Sequence, residues 1–317
     1  MSFLGRLGKP WFVYRPRQLF LRVVRNAACA PDVRVLKLPA GFILEADVGK
    51  TIGRGLWQTG VHDLAASEGV FRLVQSGTLA VDAGANIGYM TALMALRAGP
   101  QGRVLAFEPH PALYGHLQAN VARLGLHSGA AAVATHAVAL SDRSGAAELF
   151  EPAGFAQNEG LATLCQGVAR LVSPRNNNDM GRKTLPRPLH VLTVRLDEAL
   201  EQRHVTLLKL DVEGHEAAVL RGATMALQER RITHILFEEH HGPKSTVCQM
   251  LQAAGYAIFQ IGWKLRGPIL AELHEPALAT DYEAPSYLAT LDPTTALRRL
   301  APRGWGVLGG RVNLRLP

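Results

Sequence analysis

The sequence lacks the features that would assign it to a membrane, secreted or disulfide-rich class. No apolar run approaches the ~20 residues that a membrane-spanning helix needs. The first residues show no signal-peptide pattern, because basic side chains interrupt every apolar stretch there. The three cysteines, Cys29, Cys165 and Cys248, have neither paired nor metal-type spacing. We therefore predict a cytoplasmic protein with reduced thiols and no cysteine-bound metal.

Acidic residues are absent from both ends of the chain. Residues 1–31 carry six Lys or Arg, residues 293–317 carry five Arg, and neither range holds an Asp or Glu. Residues 32–292 contain 23 basic and 26 acidic side chains, a net charge of −3, although the whole chain carries +8. The central part therefore does not predict a nucleic-acid surface. Because residues 1–31 interleave apolar side chains with arginines, they predict either a first helix packed on the domain or a peripheral contact with an anionic membrane.

Strands and helices alternate in the hydrophobic pattern between residues 41 and 140. The predicted strands cover residues 41–47, 78–82, 103–107 and 132–140, and the predicted helices between them cover residues 61–75, 89–97 and 111–124. A separate helix is predicted before this range, over residues 17–27. With 48% hydrophobic and 19% charged residues, the chain of 317 residues can build a large core. This alternation is typical of an α/β fold with a parallel sheet and helices on both faces.

The alternation stops at residues 151–190, which are rich in proline, glycine and asparagine, and then resumes. This range fits an insertion over the ligand-binding edge of the sheet and a surface loop about equally well. The later predicted strands cover residues 191–194, 205–210, 232–237, 256–261 and 287–291, and the later predicted helices cover residues 196–201, 216–228 and 244–254. We predict one domain over residues 51–292, an N-terminal extension over 1–50 and a basic C-terminal tail over 293–317.

A glycine turn, DAGANIG at residues 82–88, joins the strand at 78–82 to the next helix. Gly84 permits a tight turn, and Gly88 permits a close approach of a ligand or a strand to the helix start. The free N–H groups and positive dipole end of that helix suit a phosphate or a carboxylate. The spacing differs from the G-x-G-x-x-G of dinucleotide enzymes, so it disfavours a nicotinamide or flavin cofactor.

An acidic residue, Glu108, follows the next predicted strand, 20 residues after Gly88. A carboxylate at this place in a βαβ unit accepts hydrogen bonds from ribose hydroxyls and disfavours a 2′-phosphate. The glycine turn and Glu108 together predict a ligand that contains a ribose and whose other end lies on the turn.

Four motifs in order carry a resemblance to a known family. The segments DAGANIGYMT, AFEPHP, AVALSDRSG and LLKLDVEGHEAAVLRGA resemble the FkbM family of S-adenosylmethionine-dependent methyltransferases, over roughly residues 55–290. The resemblance implies a Rossmann-like class I methyltransferase fold, which is α/β with a mostly parallel, seven-stranded sheet. It also implies S-adenosylmethionine as the cofactor and O-methylation of a hydroxyl on a sugar, a glycolipid or a natural product. One departure is Ser286, where we expect Asn from the family pattern.

The resemblance further implies which residues bind the cofactor. These are Asp82, Gly84, Asn86 and Gly88 for the methionine end, Glu108 for the ribose, Ser141 and Asp142 for the adenine, and Asp211 for the sulfonium.

Candidates for catalysis follow the fourth and fifth strands of the repeated pattern, because ligands in open α/β sheets bind beyond the carboxyl ends of the strands. Methyl transfer needs groups that align the acceptor and remove its hydroxyl proton. We predict Asp211, Glu213, His215 and Glu239 for these roles, with the imidazole of His215 suited to a general base. Residues 211 and 238–241 could also hold a divalent ion, but they show no fixed-spacing metal signature, so we expect no metal.

Three other functions stay open at this point. An RNA or protein methyltransferase could use the basic ends, but enzymes that methylate exocyclic amines carry Asn/Asp-Pro-Pro-Tyr where this chain has DVEG at residues 211–214. A binding module would bind the cofactor without transferring its methyl group. A dinucleotide-dependent oxidoreductase is disfavoured by the glycine spacing.

Overall fold

Strands and helices alternate through most of the computed structural model, which describes residues 9–17, 33–126, 129–152, 154–165, 188–275, 285–310 and 312. The strands are β1 Val33–Lys37, β2 Ile43–Asp47, β3 Leu79–Ala83, β4 Arg103–Phe107, β5 Ala132–His136, β6 Val138–Ser141, β7 Gly145–Leu149, β8 Leu189–Arg195, β9 Val205–Leu210, β10 Ile232–Glu238, β11 Ala257–Lys264, β12 Gly267–Glu272 and β13 Ser286–Thr290. The α-helices are α1 Pro10–Val13, α2 Thr51–Thr59, α3 Leu64–Leu73, α4 Tyr89–Ala98, α5 Pro111–Leu124, α6 Leu196–Leu200, α7 Glu216–Arg221, α8 Thr224–Gln228, α9 Thr246–Ala253 and α10 Pro293–Leu300.

The main sheet has eight strands in the order β12-β11-β13-β10-β9-β3-β4-β5. Strands β10, β9, β3, β4 and β5 are parallel to one another. Strand β13 is antiparallel to both of its neighbours, β10 and β11. The predicted α/β class with a mostly parallel sheet is confirmed.

The eighth strand, β12, was not predicted. It forms a hairpin with β11 through a two-residue turn, so that Lys264 pairs with Gly267. Pro268 lies in β12, where it is tolerated because an edge strand needs no further partner for its missing N–H. A proline in a short run argues against a strand from sequence alone, which explains the omission.

The strands of the parallel half are apolar because helices cover both of their faces. Neighbouring residues of one strand enter opposite cores: Ala80 and Leu207 pack with α3 and α4, whereas Val81 and Leu208 pack with α7, α8 and α9. This alternation follows from the two-residue period of a strand. The helices thereby hold the carboxyl ends of β3, β4, β9 and β10 side by side.

Two predicted elements are divided in the structure. The single strand predicted over 132–140 is wrong: β5 pairs with β4 in the main sheet, and β6 pairs with β8 in a separate sheet of three strands, β6-β8-β7. The single helix predicted over 216–228 is also wrong. A Cβ at Gly222 would lie 1.9 Å from the carbonyl oxygen of Ser141, and Asp197 accepts hydrogen bonds from the first N–H groups of α8. Both interruptions depend on contacts with distant residues.

The sequence also did not predict helices α1, α2 and α10 or strands β1 and β7. The remaining predicted helices and strands agree with the structure to within a few residues at each end. The helix predicted at residues 17–27 lies, apart from Arg17, outside the described residues. The predicted insertion at 151–190 is described only at its ends, where residues 159–161 form a 3₁₀ turn. Strands β1 and β2 form a two-stranded sheet, and Asn120 of α5 exchanges hydrogen bonds with the backbone of Glu45 in β2.

The segment after β13 packs on α3 through a buried ion pair. The guanidinium of Arg72 donates to Glu68 and to the carbonyl oxygens of residues 299, 300, 302 and 304. The carboxylate of Glu68 accepts from the N–H groups of residues 306 and 307, and Trp305 is fully buried. Residues 293–310 thus contribute to the core, and the domain boundaries predicted from the sequence stay a prediction.

Near the N-terminus, the ring of Trp11 packs against that of Trp263, with 5.7 Å between the ring centroids. None of the helices in the described ranges is long and apolar enough to cross a membrane.

Candidate active site

A cavity of about 270 Å³ opens where the carboxyl ends of four parallel strands meet. Gly84 follows β3, Glu108 follows β4, Asp211 follows β9, and Glu238 ends β10; all four line the cavity. Along the sheet the order is Glu238, Asp211, Gly84, Glu108, because the strand order is β10-β9-β3-β4. This is the edge at which ligands bind in open α/β sheets.

The turn after β3 is held tightly between its neighbours. The N–H groups of Gly84 and Ala85 both donate to the carbonyl oxygen of Phe107, at 3.0 and 2.9 Å. Gly84 has a φ of +77°, and a Cβ there would lie 1.9 Å from the carbonyl oxygen of Asp211. Only glycine fits this position, because both the backbone conformation and the close approach of the β9 loop require it.

Asn86 and Gly88 shape the start of α4 in different ways. Asn86 has a φ of +50°, and its side chain accepts from the N–H of Ile87 and donates to the carbonyl oxygen of Glu159. It lines the cavity. Gly88 caps α4 with a φ of +90°, and a Cβ there would lie 2.9 Å from the side chain of Leu117. Gly88 therefore allows α4 and α5 to pack closely and lies outside the cavity wall.

Asp82, predicted at the methionine end of the cofactor, is fully buried below the cavity. Its Oδ2 accepts from the hydroxyl of Thr91 at 2.6 Å, which ties β3 to the first turn of α4. Burial raises the pKa of Asp82, and the nearby ammonium of Lys209 opposes that shift. Asp82 supports the turn from beneath rather than facing a ligand.

Glu108 faces the cavity, and its carboxylate is fixed by backbone groups. It accepts from the N–H of Asn86 at 2.8 Å and from the N–H of His110 at 2.9 Å. Burial raises the pKa of Glu108 to about 7, although the two hydrogen bonds lower it. A carboxylate held in this way keeps lone pairs that can accept hydrogen bonds from a diol.

A buried ion pair forms the cavity floor. Lys209 Nζ lies 2.8 Å from Asp211 Oδ2 and 3.8 Å from Asp82 Oδ1. Burial lowers the pKa of Lys209, but the carboxylates of Asp211 and Asp82 raise it by more, so the ammonium stays charged. The sequence reasoning missed Lys209 as a site residue. A lysine inside the otherwise apolar strand β9 was the available signal, since buried lysines need a partner.

Two further carboxyl groups, those of Glu213 and Glu238, face the cavity beside Asp211. Burial, followed by the charge of Asp211, raises the pKa of Glu213 to about 8 and that of Glu238 to about 9. Both are therefore mainly protonated at neutral pH. Glu213 has a φ of +51°, and its carbonyl oxygen accepts from the hydroxyl of Thr163, which joins this turn to residues 158–164 of the cavity wall.

His62 and Asp63, which the sequence reasoning also missed, line the cavity from the turn between α2 and α3. Asp63 has a φ of +41° and caps α3 by accepting from the N–H of Ala66. Its other oxygen accepts from the hydroxyl of Ser286 at 3.2 Å. An Asp before a helical pattern is a helix-start signal, but only the fold brings this one to the sheet edge.

His215, Ser141 and Asp142 lie together at the far side of the site. His215 Nε2 and Ser141 Oγ are 2.9 Å apart, and burial lowers the pKa of His215. His215 lines the main cavity, whereas Ser141 and Asp142 line a neighbouring open cavity of about 630 Å³. His215 is thus joined to the predicted adenine-side residues and lies away from β10.

Glu239 does not face the main cavity. Its Oε1 accepts from the N–H of His241 at 2.6 Å, so it closes the turn after β10. Glu238, one residue earlier, faces the cavity instead, because successive side chains of a strand point in opposite directions. Among the described residues, no group of three or more His, Cys, Asp or Glu is arranged to hold a metal ion.

Comparison with known families gives one match that covers more than half of the chain. The family described as Methyltransferase FkbM domain matches residues 82–258, which begin in the last two residues of β3, include β4 to β10 and contain Gly84, Glu108, Asp211 and Glu238. His62 and Asp63 lie outside the matched segment.

Two curated proteins show similarity over more than half of the chain. Methyltransferase 1 of Beauveria bassiana is 32% identical over an alignment 190 residues long, and the alignment covers 56% of this chain and 72% of that protein. Hexuronic acid methyltransferase AglP of Haloferax volcanii is 28% identical over an alignment 194 residues long, and the alignment covers 59% of this chain and 67% of that protein.

Among solved structures, the Methyltransferase FkbM of Methylobacillus flagellatus aligns with a TM-score of 0.41 and 16% identity. The alignment covers 68% of this chain and 43% of the other.

Proposed function

The chain belongs to the FkbM family of S-adenosylmethionine-dependent methyltransferases, and from this premise we propose that it methylates a hydroxyl group of a sugar, a glycolipid or a related natural product. The observation that carries the proposal is the order of groups along the sheet edge, in which Glu108 and Glu238 lie at opposite ends with Gly84 and Asp211 between them.

The half of the cavity near β3 and β4 suits the cofactor. Glu108 offers a fixed carboxylate to two ribose hydroxyls, and the first turn of α4 offers N–H groups to the methionine carboxylate. When bound, the cofactor supplies a methyl group on a cationic sulfonium, which needs no further activation. The carboxylate of Asp211 is well suited to lie beside that positive charge. In this assignment Asn86, Ser141 and Asp142 border the cofactor, while Asp82 and Gly88 act through the backbone they support.

The half of the cavity near β9 and β10 suits the methyl acceptor. Lys209 is the one Lys or Arg on the cavity wall within the described ranges, and its ammonium is already paired with Asp211. The other charged or titratable groups there are the carboxyls of Asp63, Glu213 and Glu238 and the imidazole of His62. Protonated Glu213 and Glu238 can donate hydrogen bonds to hydroxyl oxygens. This lining favours an uncharged polyol over a carboxylate-bearing acceptor.

Similarity to a protein named hexuronic acid methyltransferase supports a sugar as the acceptor class. One assay distinguishes a hydroxyl acceptor from a carboxylate acceptor. Labelled methyl from S-adenosylmethionine is offered with neutral glycosides, uronic acids and polar lipids. We expect transfer to a neutral glycoside or glycolipid and a product that survives mild alkali, because a methyl ether resists the hydrolysis that cleaves a methyl ester. Transfer only to carboxylates would contradict the hydroxyl assignment.

For its location, we infer that the enzyme acts in the cytoplasm and contacts anionic membranes through residues 1–31. Val13 and Tyr14, beside the basic residues of this range, are 49% and 37% exposed. Flotation with vesicles that contain phosphatidylglycerol should retain the full chain. Loss of retention is expected for Val13→Asp, and equal retention of both proteins would contradict the contact.

A further inference from the structure

We propose that His62 accepts the proton of the acceptor hydroxyl during methyl transfer. This inference rests on the proposed function and assigns the general base to a residue outside the segment that matches the family, residues 82–258. His62 lies in the turn between α2 and α3, and this half-buried residue lines the cavity together with Asp211 and Glu238.

Hydrogen bonds and strand pairing locate this turn at the acceptor half of the cavity. The carboxylate of Asp63, next to His62, accepts from the hydroxyl of Ser286 at 3.2 Å. Ser286 is the strand partner of Glu238 in the antiparallel pair β10–β13. Glu238 and Glu108 end strands that are three positions apart in the sheet, roughly 14 Å at the usual spacing of ~4.8 Å. A cofactor with its ribose on Glu108 would therefore have its methyl group on the side of the cavity where this turn lies.

The ring of His62 is free to bind an acceptor. Its edge contacts the ring of Tyr89, with 6.4 Å between centroids and 79° between planes. The carbonyl oxygen of His62 accepts from the hydroxyl of Ser67. Neither ring nitrogen has a hydrogen-bond partner within the part of the chain that the structure describes. His215, by contrast, uses its Nε2 for Ser141.

The charge state of His62 also suits a base. Burial lowers the pKa of His62; the carboxylates of Asp63 and Asp211 oppose that shift, and the ammonium of Lys209 adds to it. The imidazole is therefore neutral at physiological pH and carries a lone pair. Glu213 and Glu238 are mainly protonated there, and Asp211 is already paired with Lys209.

In the proposed step, the acceptor hydroxyl displaces the sulfur of the cofactor from the methyl carbon. The hydroxyl oxygen forms a bond to the methyl carbon while the carbon–sulfur bond breaks, and that electron pair stays on sulfur to give S-adenosylhomocysteine. The hydroxyl proton moves to a ring nitrogen of His62. The resulting imidazolium then releases the proton to water, so each turnover yields one methyl ether and one proton.

The position of His62 can be tested without an acceptor. Histidine ring signals are titrated by NMR in complexes with S-adenosylmethionine and with S-adenosylhomocysteine, and the His62 signal is assigned from His62→Gln or, if that variant is unstable, from His62→Asn. We expect a lower pKa for His62 in the S-adenosylmethionine complex, because the sulfonium carries a positive charge. The ring signals of His204, which is exposed just before β9 at the amino ends of the parallel strands, should be the same in both complexes at each pH.

The role of His62 is tested by binding and kinetics. By calorimetry, His62→Gln should bind S-adenosylhomocysteine within about twofold of the wild type. On the acceptor found by the labelled-methyl screen, kcat should fall about 100-fold or more, and the acidic limb of the pH profile should disappear. The matched variant His204→Gln should change neither the affinity for S-adenosylhomocysteine nor kcat.

Three results would overturn the proposal. These are equal His62 pKa values in the two complexes, a tenfold loss of S-adenosylhomocysteine affinity in His62→Gln, or an unchanged kcat. The second result would assign His62 to the methionine carboxylate instead. Failure of the proposed function would look different, since the wild-type protein would then bind no S-adenosylmethionine or would transfer its methyl group to no hydroxyl.

Discussion

Lys209 Nζ and Asp211 Oδ2 lie 2.8 Å apart on the cavity floor, and the same ammonium lies 3.8 Å from the fully buried carboxylate of Asp82. Asp82 Oδ1 has no hydrogen-bond partner within the described part of the chain, so Lys209 provides its compensating charge. A single lysine thus links β9 to the start of the β3 turn.

Removing that lysine should destabilise the fold. We expect Lys209→Met to lower the free energy of unfolding by about 3–5 kcal/mol, because it leaves a buried carboxylate without its counter-charge. The double variant Lys209→Met/Asp82→Asn should recover at least about 1 kcal/mol of that loss, since the remaining group is neutral. Urea unfolding of both single variants and the double variant measures the coupling. If the losses of unfolding free energy in the two single variants simply add in the double variant, Lys209 does not compensate the charge of Asp82.

A steric prediction follows from two glycines with matching backbone angles. Gly84 and Gly77 have φ values of +77° and +78°, but a Cβ at Gly77 would meet no atom within 4 Å. Gly77→Ala should therefore cost only the left-handed strain of about 1–2 kcal/mol. Gly84→Ala should cost about 1–3 kcal/mol more, because the Asp211 carbonyl must also move. Equal losses of unfolding free energy in the two variants, measured with urea, would contradict the close approach of the Asp211 carbonyl oxygen to Gly84.

Glu108 should make cofactor binding depend on pH. Its pKa of about 7 means that the carboxylate gains a proton as the pH falls through neutrality, and a protonated carboxyl is a poorer acceptor for ribose hydroxyls. Affinity for S-adenosylmethionine should thus decrease as the pH falls below about 7. Glu108→Gln should bind S-adenosylmethionine about tenfold more weakly or worse, and its affinity should no longer depend on pH in this range. Calorimetry across this range checks both effects, and Glu201→Gln, which alters an exposed side chain, is the control.

Glu238 should make the free protein less stable in alkali. Burial, followed by Asp211 and Asp63, raises the pKa of Glu238 to about 9. The folded protein keeps this proton over a pH range in which the unfolded chain has released it. The associated stability is therefore complete below the ordinary glutamate pKa near ~4.3 and is lost as the pH rises through about 9.

We expect urea unfolding to show lower stability at about pH 9 than at about pH 6, and Glu238→Gln should remove on the order of 1–3 kcal/mol of that difference. Glu213 contributes in the same direction, so part of the dependence should remain. An unchanged slope in Glu238→Gln would mean that its carboxyl ionises normally in the folded protein.

Much of the cofactor half of the site was predictable from local sequence. The turn that contains Gly84 and Asn86 and the carboxylate of Glu108 lie directly after apolar strands, and chain connectivity alone brings the ends of β3 and β4 together. A parallel βαβ unit admits essentially one arrangement, because its crossover is right-handed. The prediction of the glycine turn and of Glu108 therefore needed no information from the rest of the chain.

Which side chains face the acceptor half of the cavity could be determined only from the tertiary structure. Whether Glu238 or Glu239 faces the cavity is set by the register of β10 with β13, a strand about 50 residues later in the chain. His215 is predicted as a base because it follows β9, and only the structure shows that its Nε2 forms a hydrogen bond with Ser141 Oγ.

By itself, then, the sequence determined the family, through four motifs in order along the chain. It also determined the α/β class and the place of the glycine turn, because these depend on patterns within about 30 residues. Only the tertiary structure brought His62, Asp63 and Lys209 to the sheet edge and set their charges. Burial and the proximity of distant carboxylates determine these properties, and neither is encoded in the spacing along the chain.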